Sequence, residues 1–383
     1  MKKEISFDLV VTKKCNFNCT YCFEQGMFEN KEISKDDYDK ILDFWEREYG
    51  VKDNYKINFL VIGGEPSIAK NFSYFLQELK KRIQNNKIEL GKITYITNGY
   101  SSNLILNQIQ DINFWKKYFD IQISYDGKII HDKNRIIKKN NKIINTSDSV
   151  LKTIDELYNL GFKVFLKSTL MLKDLYYIDE VLKEFKELFY KYHIFYAPTE
   201  DKYSAKFLKE KELNEIIFQF SKVAKFEYKF YQKNNIFLTR WFNDNLLKNK
   251  KETFCGAGIS LFSINPNLDI FPCHLADYLR ESKKDNIYIG NVNTVTSKDI
   301  DESILKFDKI NKKYKENYSN KLNECSTCSA IYCVKCPIQK YDDTSDLTKI
   351  YDNIENNICK YYRGISQYIY LVYKKLDLLK EMK

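Results

Sequence analysis

No apolar run in the 383 residues approaches the ~20 needed to cross a bilayer as a helix, which excludes a spanning helix of that kind. The start of the chain, Met1-Lys2-Lys3-Glu4-Ile5, also lacks the uninterrupted apolar stretch of a secretory signal and meets a polar, cysteine-bearing segment by residue 12. The expected compartment is therefore cytoplasmic, with no membrane partner. No internal repeat is present. The net charge of +10 comes without a basic stripe or a recognised nucleic-acid motif, so nucleic acid is not an expected partner. Lysines fall instead in short runs, as at residues 138–142 and 312–315. Such runs are solvated faces or attract an acidic partner such as an acidic leader peptide.

The 44% hydrophobic and 15% aromatic content supports a sizeable core, and the length allows two or three domains. Over the first ~200 residues strand and helix patterns alternate. Strands are expected at 5–11, 57–62, 93–96, 119–124, 163–169 and 193–196. Helices are expected at 34–49 (behind the N-cap Ser34), 72–84, 103–118, 147–160 and 178–191. Alternation at this period implies α/β architecture: a parallel sheet with right-handed crossovers, closed partly or wholly into a barrel. Functional groups are then expected at the carboxyl ends of the strands. There the punctuation is polar or glycine-rich: Cys15, Gly63-Gly64-Glu65-Pro66, Thr97-Asn98-Gly99 and Ser124-Tyr125-Asp126-Gly127. The expected domains are a partial barrel at 1–205, a helical connector at 206–250, and a smaller Cys-rich domain at 251–383 closed by a carboxyl-terminal amphipathic helix.

Ten cysteines in a reducing compartment argue for metal rather than disulfides. Cys15, Cys19 and Cys22 are spaced C-x3-C-x2-C. Three thiolates on one tight loop can hold three irons of a 4Fe–4S cluster and leave the fourth open, whereas clusters that only carry electrons usually have four cysteine ligands. This spacing, with Tyr21 just before the third cysteine, resembles the signature of radical S-adenosylmethionine (SAM) enzymes. The resemblance implies a partial (β/α)6 TIM-like barrel. It also implies that the open iron binds SAM, and that reductive cleavage yields a 5′-deoxyadenosyl radical that takes a hydrogen atom from the substrate. Residue by residue, it implies SAM contacts from Tyr21, Gly63, Gly64, Glu65, Asn98, Ser124, Asp126, Ser168 and Arg135. Glu65 would meet the methionyl ammonium, Ser124 and Asp126 the ribose, and Arg135, in His131-x3-Arg135, a carboxylate.

The other seven cysteines are Cys255, Cys273, Cys325, Cys328, Cys333, Cys336 and Cys359. Their order resembles the SPASM extension, which implies two auxiliary 4Fe–4S clusters and three in all. The implied partition gives Cys255, Cys273 and Cys336 to the nearer cluster and Cys325, Cys328, Cys333 and Cys359 to the farther one. This chain departs from the pattern in two places. The usual hairpin glycine is replaced near Leu268, and the knuckle reads C-x2-C-x4-C-x2-C, one residue shorter in each of its last two gaps. A structural zinc knuckle is the alternative for Cys325–Cys336, but it would strand Cys255, Cys273 and Cys359.

The SPASM subset mostly modifies peptides and proteins. The resemblance therefore implies a maturase that installs an oxidative thioether or carbon–carbon crosslink in a ribosomally made peptide. It would take electrons from a flavodoxin- or ferredoxin-type donor and, with Cys15 so early, recognise any leader through a separate protein or another surface. The alternative enzyme is an anaerobic sulfatase-maturing one, forming formylglycine on Cys or Ser. In that group an Asp typically follows the hairpin cysteine as base, whereas here His274 follows Cys273, which makes His274 the catalytic candidate. The non-enzyme alternative is an iron–sulfur or zinc-binding interaction protein.

Overall fold

The computed structural model describes residues 3–22, 24, 29–140, 142–201, 205, 207–247, 256–279, 286–319 and 356–378. In chain order these form β1 (Lys3–Thr12), α1 (Lys35–Tyr49), β2 (Tyr55–Gly63), α2 (Phe72–Gln84), β3 (Leu90–Thr97), α3 (Ser102–Ile109), α4 (Ile112–Trp115) and β4 (Phe119–Ser124). Next come α5 (Lys128–Asn134), the hairpin strands β5 (Ile137–Lys139) and β6 (Lys142–Ile144), α6 (Ser147–Asn159), β7 (Lys163–Met171), α7 (Ile178–Tyr192) and β8 (Pro198–Asp201). Then follow α8 (Glu210–Asn234), α9 (Arg240–Leu247), β9 (Leu261–Ile264), β10 (Asp269–Phe271) and β11 (Gly290–Asn291), and finally helices Ser297–Ser319 and Asn356–Lys375.

One nine-stranded sheet runs β11-β10-β9-β1-β2-β3-β4-β7-β8. The six strands from β1 to β8 pair in parallel, the core of a partial (β/α)6 barrel. The boundaries expected near residues 205 and 250 do not divide this sheet. β9 pairs in parallel with β1, and β10 and β11 continue the sheet antiparallel beyond it. α8 packs on α7 and on the terminal helix Asn356–Lys375, so the expected connector belongs to the body of the fold.

Period-two alternation divides each strand between two environments. Outward residues are buried under helices: Phe7 of β1 lies 5.5 Å from Trp45 of α1, ring to ring, and Trp45 lies 5.5 Å from Phe59 of β2. Inward residues such as Ile62, Ile96, Gln122, Phe165 and Lys167 are half-buried and line a lumen that solvent reaches.

Two expected elements move. The helix expected at 103–118 breaks at Gln110, which takes φ 50°, and Asp111 then caps α4 by accepting from Phe114 N at 3.1 Å. The strand expected at 193–196 lies instead at Pro198–Asp201. His193 ends α7 in the left-handed region, and Ile194 and Tyr196 are buried in the core before pairing with β7 begins. Leu268 itself adopts φ 67° in the β9–β10 turn, the conformation a hairpin glycine would hold. No helix among the described residues is long and apolar enough to cross a membrane.

Glu227 of α8 is fully buried and accepts from Leu238 N and Thr239 N at 2.9 and 2.7 Å. Burial lifts its carboxyl from 4.5 to about 7 despite these donors. Between those pH values the folded chain holds a proton that the unfolded chain has released, so stability falls as pH rises through the window. The expected loss from this group is about 3 kcal/mol by pH 8. Urea unfolding of wild type and Glu227→Gln from pH 4 to 8 measures it, and the difference between the two should change by that amount.

Candidate functional site

The cysteine loop leaves the carboxyl end of β1 and is clamped at once to the end of β2. Gly64 N donates to Thr12 O at 2.9 Å and Glu65 N to Lys14 O at 2.7 Å. Two glycines make this approach possible. Gly63 has φ 150°, and a Cβ there would sit 2.2 Å from Thr12 O. A Cβ on Gly64 would sit 2.2 Å from Lys14 O. The glycines therefore seat the loop against β2; the close approach they permit is to backbone.

Glu65 is buried behind this clamp. Its Oε1 accepts from Ser67 N at 3.0 Å and Thr97 Oγ1 at 2.6 Å, and its Oε2 from Asn98 N at 2.7 Å. Burial raises its pKa, and these donors work against the rise. Asn98 passes the connection on, donating from Nδ2 to Asn16 Oδ1 at 2.7 Å. Strand ends β1, β2 and β3 thus meet in one hydrogen-bonded network around the loop.

The loop's far side is held by the region after β4. Asp126 is fully buried. It accepts from the Tyr21 hydroxyl, from Arg135 Nε at 2.9 Å and from Thr169 N at 2.8 Å. The Arg135 guanidinium also lies over the Tyr21 ring, 5.2 Å from its centre. Asp126, Arg135 and Tyr21 therefore form a buried latch between β4, β7 and the loop, with two donors on Asp126 Oδ2 and one on Oδ1. Asn18 N donates to Ile136 O at 2.7 Å and Thr20 N to Asn134 O at 2.9 Å. His131 is buried on Thr146 Oγ1 at 3.0 Å, and burial lowers its pKa to about 4.

Ser124 is half-buried on the lumen side of β4. Ser168 does not join it. Alternation turns Ser168 to the helix side of β7, fully buried and 3.4 Å from the Tyr196 hydroxyl, and leaves Lys167 and Thr169 on the lumen side.

His274 meets the barrel through Asp8, a residue that sequence reasoning missed: His274 Nδ1 lies 2.7 Å from Asp8 Oδ2. Asp8 is fully buried, and its Oδ1 has no hydrogen-bond partner among the described residues. The available signal was a carboxylate in the apolar run Phe7-Asp8-Leu9-Val10. Nearby, the Tyr278 hydroxyl donates to Glu24 Oε1 at 2.6 Å, and Lys13 Nζ lies 3.1 Å from Asp277 Oδ2. Burial raises the Glu24 carboxyl, and the Tyr278 hydrogen bond opposes it.

The donor set at residues 15–22 fits a 4Fe–4S cluster. Burial, followed by the charges of Glu65, Cys19 and Cys22, pushes the Cys15 thiol up to about 12, against a lowering contact from the Phe17 backbone. Burial likewise pushes Cys19 to about 11; Arg135 opposes this, while Cys22 and Asp126 add to it. Three thiols that repel one another as thiolates suit a cationic iron core that spreads them over separate metals. No group of His, Cys, Asp or Glu among the described residues is arranged for a single metal ion. Of the expected auxiliary ligands, Cys273 is buried beside Phe271 and Phe307, and Cys359 is in the terminal helix. Cys255, Cys325, Cys328, Cys333 and Cys336 lie outside the described residues.

The clamp makes a direct prediction. In Gly64→Ala the new Cβ meets a backbone carbonyl that cannot move without shifting the loop, at a cost of roughly 2 kcal/mol or more. Thermal unfolding should show a lowered midpoint, and iron uptake on anaerobic reconstitution should fall.

Residues 9–189 match the profile of the radical SAM superfamily. Over 381 residues the chain is 23% identical to a cysteine-type anaerobic sulfatase-maturating enzyme of Clostridium perfringens, covering 93% of each. A 28% identical match over 104 residues to a GTP 3′,8-cyclase of Mesorhizobium japonicum spans 26% of this chain and 29% of the cyclase. Among solved structures, native anSMEcpe with bound AdoMet and Cp18Cys peptide superposes with a TM-score of 0.72 at 19% identity, covering 99% of this chain and 100% of that one. The same fold, a cysteine triad seated at the end of β1 and the superfamily match coincide: residues 9–189 form a radical SAM domain, and the chain has the fold of radical SAM enzymes.

Proposed function

We propose that this enzyme oxidises a side chain of a peptide held in the barrel lumen, installing a thioether or carbon–carbon crosslink. The observation that supports the reading is the three-thiol loop at the end of β1, clamped beside the buried Glu65, with Asp8 of the Asp8–His274 pair on the same strand. Cys15, Cys19 and Cys22 hold a 4Fe–4S cluster. With SAM, that cluster supplies reductive cleavage to a 5′-deoxyadenosyl radical and hence hydrogen-atom abstraction. Ser124, on the lumen side of β4, is a SAM-facing group. Glu65 sets negative charge behind Cys15 and fixes Asn98, while Tyr21, Asp126 and Arg135 hold the loop in place. Cys273, Cys359 and the five cysteines outside the described residues are the ligands of two auxiliary clusters. The peptide partner is supported by the Cp18Cys peptide bound to anSMEcpe. The electron comes from a flavodoxin- or ferredoxin-type donor.

His274 is the proton acceptor in this reading. With Nδ1 bonded to Asp8 Oδ2, the ring takes a proton at Nε2. Formylglycine formation is the second reading, favoured by similarity to the sulfatase-maturating enzyme along 93% of the chain. The histidine after Cys273, where that group typically has a carboxylate, favours the crosslink.

Anaerobic reconstitution should load three clusters, and reduction should release 5′-deoxyadenosine. Mass spectrometry of candidate peptides then separates the products: a crosslink removes hydrogen only, whereas formylglycine from cysteine also loses sulfur and gains oxygen. Absence of SAM cleavage in the iron-loaded, reduced protein would sink both readings. Replacing His274 by Ala should lower peptide product formation by about 100-fold, within the range for general bases, while SAM cleavage continues; unchanged product formation removes His274 from the mechanism.

A further inference from the structure

The hairpin of β5 and β6 stands apart from the main sheet as a two-stranded pair. A pair this short is not stable alone. It is held at its base by the cysteine loop: Lys138 N donates to Asn18 Oδ1 at 3.0 Å, next to the Asn18–Ile136 and Thr20–Asn134 backbone bonds. Thr146 Oγ1 closes the same base on Arg135 O at 2.7 Å. The hairpin thus shares backbone with the segment that carries Cys15, Cys19 and Cys22.

Its surface is basic with an apolar spot. Lys138, Lys139 and Lys142 are exposed, and no carboxylate pairs with any of them among the described residues. Ile143 beside them is 64% exposed and Ile144 37%. Other surface lysines, such as Lys40, Lys81, Lys128 and Lys163, are paired with acids. An unpaired lysine cluster around an exposed apolar side chain suits a small, transient, electrostatically steered interface.

We propose that this hairpin docks an acidic one-electron donor protein of the flavodoxin type. The inference rests on the cluster assignment to residues 15–22. Electron transfer weakens steeply with distance, so the donor must dock close to that loop, and the hairpin is the basic surface bonded directly to it. One electron leaves the donor's reduced flavin and enters the cluster; no bond is made or broken in the docking step.

The test uses the reconstituted full chain and a triple charge reversal, Lys138→Glu, Lys139→Glu and Lys142→Glu. A control reverses Lys3, Lys52 and Lys87, which enter the amino ends of β1, β2 and β3 on the opposite rim and change the net charge equally. SAM cleavage is driven either by a reduced acidic flavodoxin or by dithionite, and binding of the oxidised flavodoxin is measured separately at low and high salt. The expected result is a fall of about tenfold or more in the flavodoxin-driven rate and in flavodoxin affinity at low salt. Dithionite-driven cleavage and the control variant should hold their wild-type rates. Equal flavodoxin binding and rate in the hairpin variant would overturn the proposal. So would a loss seen equally with dithionite and confined to the peptide KM, which would assign the hairpin to the peptide. If neither reductant cleaves SAM in the wild type, the cluster assignment fails instead, and the binding measurement still decides the surface.

Discussion

The backbone clamp between the ends of β1 and β2 is the constraint on which the site depends. Two hydrogen bonds, Gly64 N to Thr12 O and Glu65 N to Lys14 O, fix where the cysteine loop begins. They form only because neither glycine carries a Cβ, since each would press on a carbonyl at 2.2 Å. Once the clamp is closed, Glu65 is enclosed and must find donors in Ser67, Thr97 and Asn98. Asn98 then reaches Asn16 inside the loop. A local absence of side-chain atoms thus propagates through three strand ends.

The second anchor is electrostatic. Asp126 and Arg135 are both buried, and each is tolerable there because the other is present. Their partners, the Tyr21 hydroxyl and ring, tie the pair to the third cysteine's neighbour. The loop is therefore held by backbone on one side and by a buried ion pair on the other. Between them burial, with neighbouring negative charges second, raises the pKa values of Cys15 and Cys19, a cost that bound iron would relieve.

Much of this was legible in residue order. The spacing of Cys15, Cys19 and Cys22, the glycines at 63 and 64 and the strand–helix alternation all act over a few residues, where sequence and geometry are nearly the same thing. The helix at Phe72–Gln84 and the strand at Phe119–Ser124 follow from unbroken periodicity of that kind. The expected strand at 193–196 failed because register against β7, rather than local apolar content, decides where pairing starts. Ser168 was misplaced for a related reason: which face a strand residue takes depends on register, and one step separates the lumen from the helices.

The sequence by itself determined the barrel class, the three-cysteine loop and the residue types at the strand ends, because each depends on short-range spacing and on backbone freedom at single positions. Only the tertiary structure decided what those residues do. It turned Asp126 from an open carboxylate into a buried latch, joined Asp8 to His274 across 266 positions, and ran β9 alongside β1 in one sheet. These outcomes depend on which faces meet when the sheet curves and closes, and no local pattern in the chain encodes that.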